Sequence, residues 1–311
     1  MGCAEEPEEP VARLRVPRAE VLLPYAASAR LETAWRPLTP LGSGPARPAG
    51  PVEPVVFVHL LDDDGRILRT FDHPFPGPWT PLDPGDPPVL DAVELWQSAL
   101  GPPLPPGRYR LTMGVVDPVK GTRWPLAVDG SADGAVDAAG GPPGEPVDRG
   151  EYAVATVVVP EGDEGRGVEV VFEGAWSPVE VGSDRQVLAT RMLNGQGTLV
   201  FRGLTEPLPV QMVLRVPDAS GGPARLVSRT GSEVPTVVVA SECAREPVRL
   251  TGWGSHSVRL RLRPAGGAGE CVVRLEPDFA LIDPETLQRS AVQLRRLTWT
   301  QGGGAPPPES P

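Results

Sequence analysis

The sequence predicts an all-β protein made of two antiparallel β-sandwich domains. Two apolar, β-branched runs end in turn residues: residues 55–61 lead into Asp-Asp-Asp-Gly, and residues 107–116 lead into Asp-Pro. Such a run is typical of a strand that closes in a turn. The 311-residue chain is too long for one ordinary sandwich and suits two domains. Its 41 prolines and 36 glycines favour many short strands joined by turns.

The first predicted domain covers residues 11–160 and follows an acidic tether at residues 1–10. Its strands are expected at residues 11–16, 19–23, 30–35, 55–61, 66–71, 89–96, 107–116, 123–128 and 152–159. Residues 91–100 fit helical spacing as well as strand alternation, and their proline-rich flanks favour the strand. Residues 129–149 are poor in apolar side chains, which predicts a glycine-rich insertion before the last strand.

The second predicted domain covers residues 166–300, and the composition of residues 301–311 predicts a disordered tail. Its strands are expected at residues 168–172, 186–189, 197–201, 210–216, 224–227, 234–242, 257–263, 271–276 and 291–300. The clearest part alternates between apolar residues and arginine over residues 258–263, so one face is buried and the other solvated. Residues 194–197, Asn-Gly-Gln-Gly, join two of these strands and predict a hairpin turn. Because crossover helices are absent from the pattern, a sandwich or jelly roll is favoured over a parallel sheet.

Charge and motif content argue against several classes of partner. The formal net charge of −11 disfavours nucleic acid and anionic membrane surfaces, because both require basic patches. The sequence contains no run of 18 or more apolar residues, which is the length expected of a segment that spans a bilayer. Residues 129–134 resemble the start of a calcium loop, but Gly140 stands where a bidentate glutamate is required, which favours a plain loop. The sequence therefore predicts no nucleic-acid partner, no metal and no cofactor.

Two of the three cysteines are expected to form a disulfide. Cys243 follows one predicted strand and Cys271 begins another. Two strand-end cysteines in one domain pair when their Cα atoms lie within about 7 Å. A pair of buried free thiols is the alternative. The spacing does not match a Cys-x-x-Cys or Cys/His zinc site.

The histidines do not define an active site. His59 lies in a strand that is apolar on both faces, as expected of a core or edge histidine. His73 follows an aspartate near the acidic turn at 62–64, where turn formation explains the aspartates more simply than a metal site does. His256 adjoins Ser255, but no Gly-x-Ser-x-Gly elbow is present. The sequence therefore predicts a non-catalytic protein.

Tryptophans are the candidate binding residues. Trp35 and Trp299 lie within strand patterns and are expected in the core. The candidates for ligand binding stand beside Pro, Gly or Ser at strand ends; they are Trp79, Trp124, Trp176 and Trp253. Aromatic rings on sandwich loops stack on sugar rings, and the alternative is that each caps the core beneath a loop.

The N-terminal residues resemble a bacterial lipoprotein from which the signal peptide has been removed. Met1-Gly2-Cys3-Ala4 is followed by Glu-Glu-Pro-Glu-Glu-Pro, which is a flexible acidic tether by composition. The resemblance implies lipidation of Cys3 and an oxidising, extracytoplasmic compartment. Two alternatives remain, a tail without a role and myristoylation at Gly2, although that motif requires Ser or Thr where Glu6 stands.

Longer stretches resemble two bacterial extracytoplasmic modules. Residues 55–68, 104–111 and 114–118 are similar to an immunoglobulin-like or fibronectin-like sandwich found on membrane glycosyltransferases and surface proteins. Residues 175–180 and 276–280, with Gln-Leu-Arg at 293–295, resemble the jelly-roll-like module that often follows it. The resemblance implies a role near surface glycans and nominates no catalytic residue.

These observations predict a non-catalytic cell-envelope lipoprotein that acts as a binding or assembly module. Its expected partner is a surface glycan or an envelope protein, and a lipid at Cys3 is its expected contact with the membrane. A structural subunit of an envelope or extracellular assembly is one alternative. A hydrolase with an unrecognised site is the other.

Overall fold

The fold is all-β, as the sequence predicts. The computed structural model describes residues 9–41, 53–129, 144–161, 167–181, 189–217, 225–264, 269–285, 287 and 289–299. Within these ranges the chain forms 24 strands and no helix, and nearly all strand pairs are antiparallel. The strands assemble into several sheets with a sandwich-like arrangement. Most of the predicted tether, most of the predicted insertion and the predicted tail lie outside the described residues.

The first of two compact units takes its described residues from 9–23, 29–95 and 105–160. Its strands are β1 (Ala12–Arg15), β2 (Glu20–Leu22), β3 (Ser28–Pro37), β4 (Val55–Leu61), β5 (Ile67–Thr70), β6 (His73–Pro74), β7 (Val89–Trp96), β8 (Gly107–Val116), β9 (Arg123–Trp124), β10 (Leu126–Asp129), β11 (Pro146–Asp148) and β12 (Glu151–Val159). One sheet has the order β10-β1-β3-β7, and the other has the order β11-β12-β8-β4-β5. Three short strands extend the second sheet, with β2 on β12, β6 on β4 and β9 on β8.

The second unit takes residues from 24–28, 96–104 and 161–299, so two of its segments fall within the range predicted for the first domain. Its strands are β13 (Glu169–Trp176), β14 (Glu180–Val181), β15 (Ala189–Arg202), β16 (Leu208–Val216), β17 (Arg225–Ser228), β18 (Thr236–Ser241), β19 (Val248–Thr251), β20 (Gly254–Leu262), β21 (Cys271–Pro277), β22 (Phe279–Ile282), β23 (Arg289–Ser290) and β24 (Val292–Trp299). The main sheet has the order β19-β18-β21-β15-β24-β16-β20, and β13 and β14 pair with β15. A small sheet has the order β17-β22-β23.

Alternation along the strands builds the core of each unit. In the first unit Val56, Val58 and Leu60 of β4 are fully buried, and they lie opposite buried residues of β8 in register. Trp35 and Trp299 are buried in the first and second units, so both predictions of core tryptophans are confirmed. Burial of one face of each strand is the main favourable contribution to folding in a chain without helices.

The predicted hairpin turn at residues 194–197 is wrong, because these residues lie in the middle of the long strand β15. Gly197 is required there by packing rather than by a turn. A Cβ at Gly197 would overlap the side chains of Trp176 and Leu193. The glycine-containing stretch is thus part of a strand, and the absence of a side chain at Gly197 lets the Trp176 indole pack against its backbone.

A disulfide joins Cys243, just after β18, to Cys271 at the start of β21. Their Cα atoms lie 5.9 Å apart, and 28 positions separate the two residues in the sequence. Closing a loop of this size stabilises a fold by about 3–4 kcal/mol in the chain-entropy model. The bond fastens the end of the adjacent strands β18 and β21.

Substitution of Gly197 tests this packing. Gly197→Ala is expected to lower the free energy of unfolding by about 2 kcal/mol, because Trp176 or Leu193 has to move. Gly195→Ala is the matched control, since its added Cβ would make an ordinary contact of 3.5 Å with Ala175. Urea unfolding followed by tryptophan fluorescence measures both changes. Equal effects of the two substitutions would contradict the account of Gly197.

Candidate functional site

Three of the four candidate tryptophans are held in the packing of the fold. Trp124 is buried. The Trp79 indole donates a hydrogen bond to the carbonyl of Thr39 at 3.0 Å and packs on Phe75 with ring centroids 4.8 Å apart. The Trp176 indole donates to the carbonyl of Thr198 at 3.2 Å. Burial of Trp124 and the indole hydrogen bonds of Trp79 and Trp176 therefore contribute mainly to structure.

Trp253 differs, because its side chain is exposed to 36% at one end of the second unit. It stands between Gly252 and Gly254, which have φ angles of +99° and +95°. Glycine adopts this left-handed backbone at no steric cost, so the chain bends without strain on both sides of the tryptophan. The ring meets the buried Phe279 edge to face, with centroids 6.4 Å apart. The core thus fixes the indole while part of its surface remains in solvent.

A hydroxyl-bearing loop lies at the same end of the unit. Ser228 Oγ accepts hydrogen bonds from the backbone N–H groups of Thr230 and Ser232, at 3.2 and 3.1 Å. Ser232 Oγ donates to the carbonyl of Val234 at 3.0 Å. Ser228 also lies directly opposite Phe279 in the register of β17 and β22. The loop is therefore held close to the residue that supports Trp253.

Asp278 anchors this loop to the sheet. Its Oδ1 accepts the backbone N–H of Thr236 at 2.8 Å, and its Oδ2 accepts the hydroxyl of Thr230 at 3.4 Å. The backbone N–H of Gly252 donates to the carbonyl of Pro235 at 2.9 Å, which joins the residue before Trp253 to the end of the same loop. We call residues 228–236, 251–256 and 277–279 the Trp253 end. It combines one exposed aromatic ring with hydroxyl and carboxylate oxygens.

The Trp253 end has the groups needed for binding a small polar ligand. An indole face offers apolar area and a π surface, and nearby hydroxyls donate and accept hydrogen bonds. His256 donates from Nε2 to the carbonyl of Gly252 at 3.1 Å, which fixes the ring nitrogen that carries the proton. This bond commits Nε2 to the support of the Trp253 turn.

The first unit contains a buried polar network around Glu151. His59 Nδ1 donates to Oε1 of Glu151 at 3.0 Å, and the hydroxyl of Thr112 donates to the same oxygen at 2.5 Å. Arg123 donates to Oε2 at 3.0 Å and to Asp148 at 3.2 Å. His59 and Thr112 lie opposite each other on β4 and β8, so strand register brings these groups together. Sequence reasoning missed Glu151, because 92 positions separate it from His59.

This network holds Glu151 ionised inside the fold. Burial raises the pKa of its carboxyl, but the hydrogen bonds from His59 and Thr112 and the charges of His59 and Arg123 outweigh it. The pKa therefore lies below its ordinary value of 4.5. Since His59, Thr112 and Glu151 are all buried, their hydrogen bonds serve to join strands β4, β8 and β12.

His73 forms a second ion pair in this unit. Its Nε2 donates to Oδ2 of the buried Asp91 at 2.9 Å, and its Nδ1 donates to the carbonyl of Phe71 at 3.0 Å. Both ring nitrogens face acceptors, so the protonated imidazolium satisfies them best. Burial lowers the pKa of His73, but the bonds to Asp91 and Phe71 and the charges of Asp91 and Asp72 raise it above the ordinary 6.5. The pair joins β6, in one sheet, to β7, in the other.

Neither a metal cluster nor a membrane helix is found in the part of the chain that the structure describes. Within these residues no group of three or more His, Cys, Asp or Glu side chains is arranged to hold a metal ion. No helix there is long and apolar enough to cross a bilayer. The stretch that resembles the start of a calcium loop, at residues 129–140, lies almost entirely outside the described ranges, as does Cys3.

Comparison with known proteins does not assign this chain to a family. No family model matches it, and no curated protein matches it. Among solved structures it is similar to tripeptidyl peptidase 2, with 10% identity and a TM-score of 0.24. That match covers 93% of this chain and 20% of the peptidase, so the chain spans about a fifth of its length. A chaperone–tip adhesin complex of CFA/I fimbriae biogenesis matches at 9% identity and a TM-score of 0.20, covering 95% of this chain and 97% of the other.

The low pKa of Glu151 predicts the acid sensitivity of the fold. Its contribution to stability is present above the ordinary carboxyl pKa and is lost as the pH falls through the lowered folded-state value. Glu151→Gln is expected to reduce the free energy of unfolding at neutral pH by about 2–5 kcal/mol, a difference that shrinks in acid. Asp148→Asn, which changes the exposed partner of the same Arg123, should cost less than about 1 kcal/mol. Urea titrations across the acid range measure this, and a pH-independent difference would contradict it.

The raised pKa of His73 predicts the opposite dependence. Its stabilising contribution is complete below pH 6.5 and is lost as the pH rises through the higher folded-state value. The stability difference between wild type and His73→Gln should therefore decrease as the pH is raised from about 5 to about 9. His256→Gln serves as a control for loss of a histidine bonded to a carbonyl alone. The account of His73 fails if the difference between wild type and His73→Gln stays constant over this range.

Proposed function

We propose that this protein is a non-catalytic, extracytoplasmic binding module that recognises surface glycan through the Trp253 end. The observation that carries the proposal is the partly exposed indole of Trp253, which packs against Phe279 and is flanked by two glycines with left-handed backbone. The C–H faces of a sugar ring pack against an aromatic surface, and its hydroxyls pair with oxygens beside it. Ser228, Thr230 and Asp278 supply such oxygens at the same end.

A single, partly exposed aromatic ring favours weak binding. Glycan ligands of one or a few sugar units are therefore expected to bind with dissociation constants of about 1 mM, equivalent to about 4 kcal/mol. Repeated polymers or clustered copies on a membrane would raise the apparent affinity without any new contact. This suits a module that is displayed at a surface.

The proposal includes the two-module architecture and the lipid anchor. The first unit corresponds to an immunoglobulin-like or fibronectin-like sandwich, and the second to a jelly-roll-like sandwich. Cys3 carries the lipid that holds the protein at the bacterial envelope, its one contact with the membrane. The Cys243–Cys271 disulfide suits an oxidising compartment. Mass spectrometry of the N-terminus from the native host tests the anchor, and an unmodified Cys3 would overturn that part of the proposal.

An assembly role is the second candidate. Val227 and Val234 are exposed to 48% and 46%, and both belong to or adjoin the Trp253 end. Exposed apolar side chains grouped beside an aromatic ring also suit contact with an envelope protein or with other subunits of an extracellular assembly. The hydrolase alternative has less support, because the strongest acid–base cluster, His59 with Glu151, is buried.

Substitution of Trp253 tests the glycan proposal. Trp253→Ala is expected to weaken binding to a responsive glycan by about tenfold or more, because the stacking surface is lost. Trp253→Phe should retain most of the affinity, and Val119→Ala, an exposed change in the first unit, should have no effect. A glycan array followed by titration calorimetry measures these affinities, with and without calcium. If wild type binds no glycan, or if Trp253→Ala binds as well as wild type, the proposal is wrong.

A further inference from the structure

Strand β20 forms one edge of the main sheet of the second unit. It pairs with β16 along its whole length of nine residues, and the register has no shift between Gly254 and Leu262. No other strand pairs with β20 within the described residues. A long edge strand without a bulge or a proline is an available template for another strand.

Hydrogen bonds on β24 show which backbone groups of β16 point toward β20. Trp299 donates its backbone N–H to Ala26, and the carbonyl of Leu297 accepts from Ala99. The backbone N–H and C=O groups of these two β24 residues therefore point away from β16. Because backbone direction alternates along a strand, their partners Val210 and Met212 direct their N–H and C=O groups to β20.

The same alternation identifies the backbone groups of β20 that no described strand pairs with. Val210 and Met212 lie opposite Leu260 and Val258, so these two residues of β20 bond to β16. The residues between and beyond them point outward; they are Ser255, Ser257, Arg259 and Arg261. Pro209, which has no N–H to donate, lies opposite Arg261, as expected of a position that does not bond between β16 and β20. At the far end Arg263 donates outward to the carbonyl of Cys243, which is where the free edge stops.

Unpaired positive charge lines this edge. Arg215, Arg259, Arg261 and Arg263 are all exposed, and none forms an ion pair with any residue that the structure describes. Cross-strand register places Arg259 opposite Gln211 and Arg215 opposite Ser255 on the outer face. Three of these arginines lie on the β16–β20 pair and Arg263 directly follows β20, and this concentration of positive charge contrasts with the net charge of −11 over the chain. We call β20 with these side chains the arginine edge.

We propose that the arginine edge binds an extended, acidic segment of a partner protein, which adds to the sheet as a further strand beside β20. The outward N–H and C=O groups at residues 255–261 supply main-chain hydrogen bonds, and the arginines pair with carboxylates on alternate residues of the incoming strand. A polypeptide fits this edge better than an anionic polysaccharide does, because the free groups repeat at strand spacing. This surface shares residues 254–256 with the Trp253 end, and it does not rest on glycan binding there.

Ser257→Pro tests strand addition directly. The N–H of Ser257 points outward, so proline removes a donor of the free edge without removing a bond to β16. Ser257→Ala is the matched control that leaves the backbone unchanged. The probe is a fluorescent peptide as long as β20 that alternates Glu and Thr, and a second probe has Gln in place of Glu. Fluorescence anisotropy with the full chain measures the dissociation constants.

We expect wild type and Ser257→Ala to bind the Glu peptide equally, Ser257→Pro to bind at least about tenfold more weakly, and the Gln peptide to bind weakly to all three. The double change Arg259→Glu with Arg261→Glu should also weaken binding by about tenfold, whereas Arg30→Glu in the first unit should not. A Glu peptide N-methylated on alternate residues blocks pairing from the ligand side. It keeps the test valid even if Ser257→Pro does not fold, and it should not bind.

Three results would overturn the proposal. The first is no binding of the Glu peptide up to about 1 mM. The second is binding that depends on the arginines but survives both Ser257→Pro and N-methylation, or is matched by a polyuronate, since charge alone would then explain it. The third is a wild-type dimer that Ser257→Pro converts to a monomer in sedimentation, because the edge would then be occupied by a second copy.

Discussion

The need to pair every backbone N–H and C=O between strands governs this molecule. Among its described residues the chain has no helix in which a segment satisfies its own groups, so each strand depends on its neighbours in the sheet. Register then decides which side chains meet and which backbone groups stay free. The burial of His59 beside Glu151 and the exposure of the arginine edge are two consequences of that single constraint.

The same constraint explains why the second unit recruits distant segments. Beyond its short ladder with β15, one side of β24 bonds instead to residues 24–28 and 96–104, through Ala26 and Ala99. Leu100, from the second of these segments, is buried in the same apolar core as Phe201 and Trp299. These segments therefore complete both the hydrogen bonding and the apolar surface of β24. A single division of the chain near residue 160 would not include these segments in the second unit, because they lie far upstream in the sequence.

The sequence predicts strands well where the pattern is long and apolar. The bounds of β4, β7 and β8 match their predicted ranges, and residues 258–263 lie in β20 with the expected buried and exposed faces apart from its last residue. Strands of two to four residues, such as β6, β11 and β23, are too short to show a period. The prediction divides strand β15 because its central glycines resemble a turn, whereas Gly197 is explained by the side chains of Trp176 and Leu193 packed against it.

The candidate site was less predictable, because exposure depends on cross-strand neighbours. Trp124 and Trp253 both adjoin residues typical of turns, yet the first is buried and the second stands outside. Nothing local distinguishes them, since Phe279, whose ring packs against Trp253, lies in β22 and is brought there by the tertiary fold. The Glu151 network is likewise invisible in the sequence, where its members are scattered over some ninety positions.

The two units use their charges in different ways. In the first unit Arg123 and His73 form ion pairs with carboxylates and His59 hydrogen-bonds to one, and each pair links strands, so these polar groups contribute to the stability of the fold. In the second unit the arginines of β16 and β20 have no partner among the described residues and face solvent on one strand pair. Since unpaired like charges on adjacent strands repel one another, they are tolerated at a cost that a bound acidic strand would remove. The exposed ring of Trp253 immediately precedes that strand, so the two surfaces that we propose for recognition belong to one stretch of the second unit.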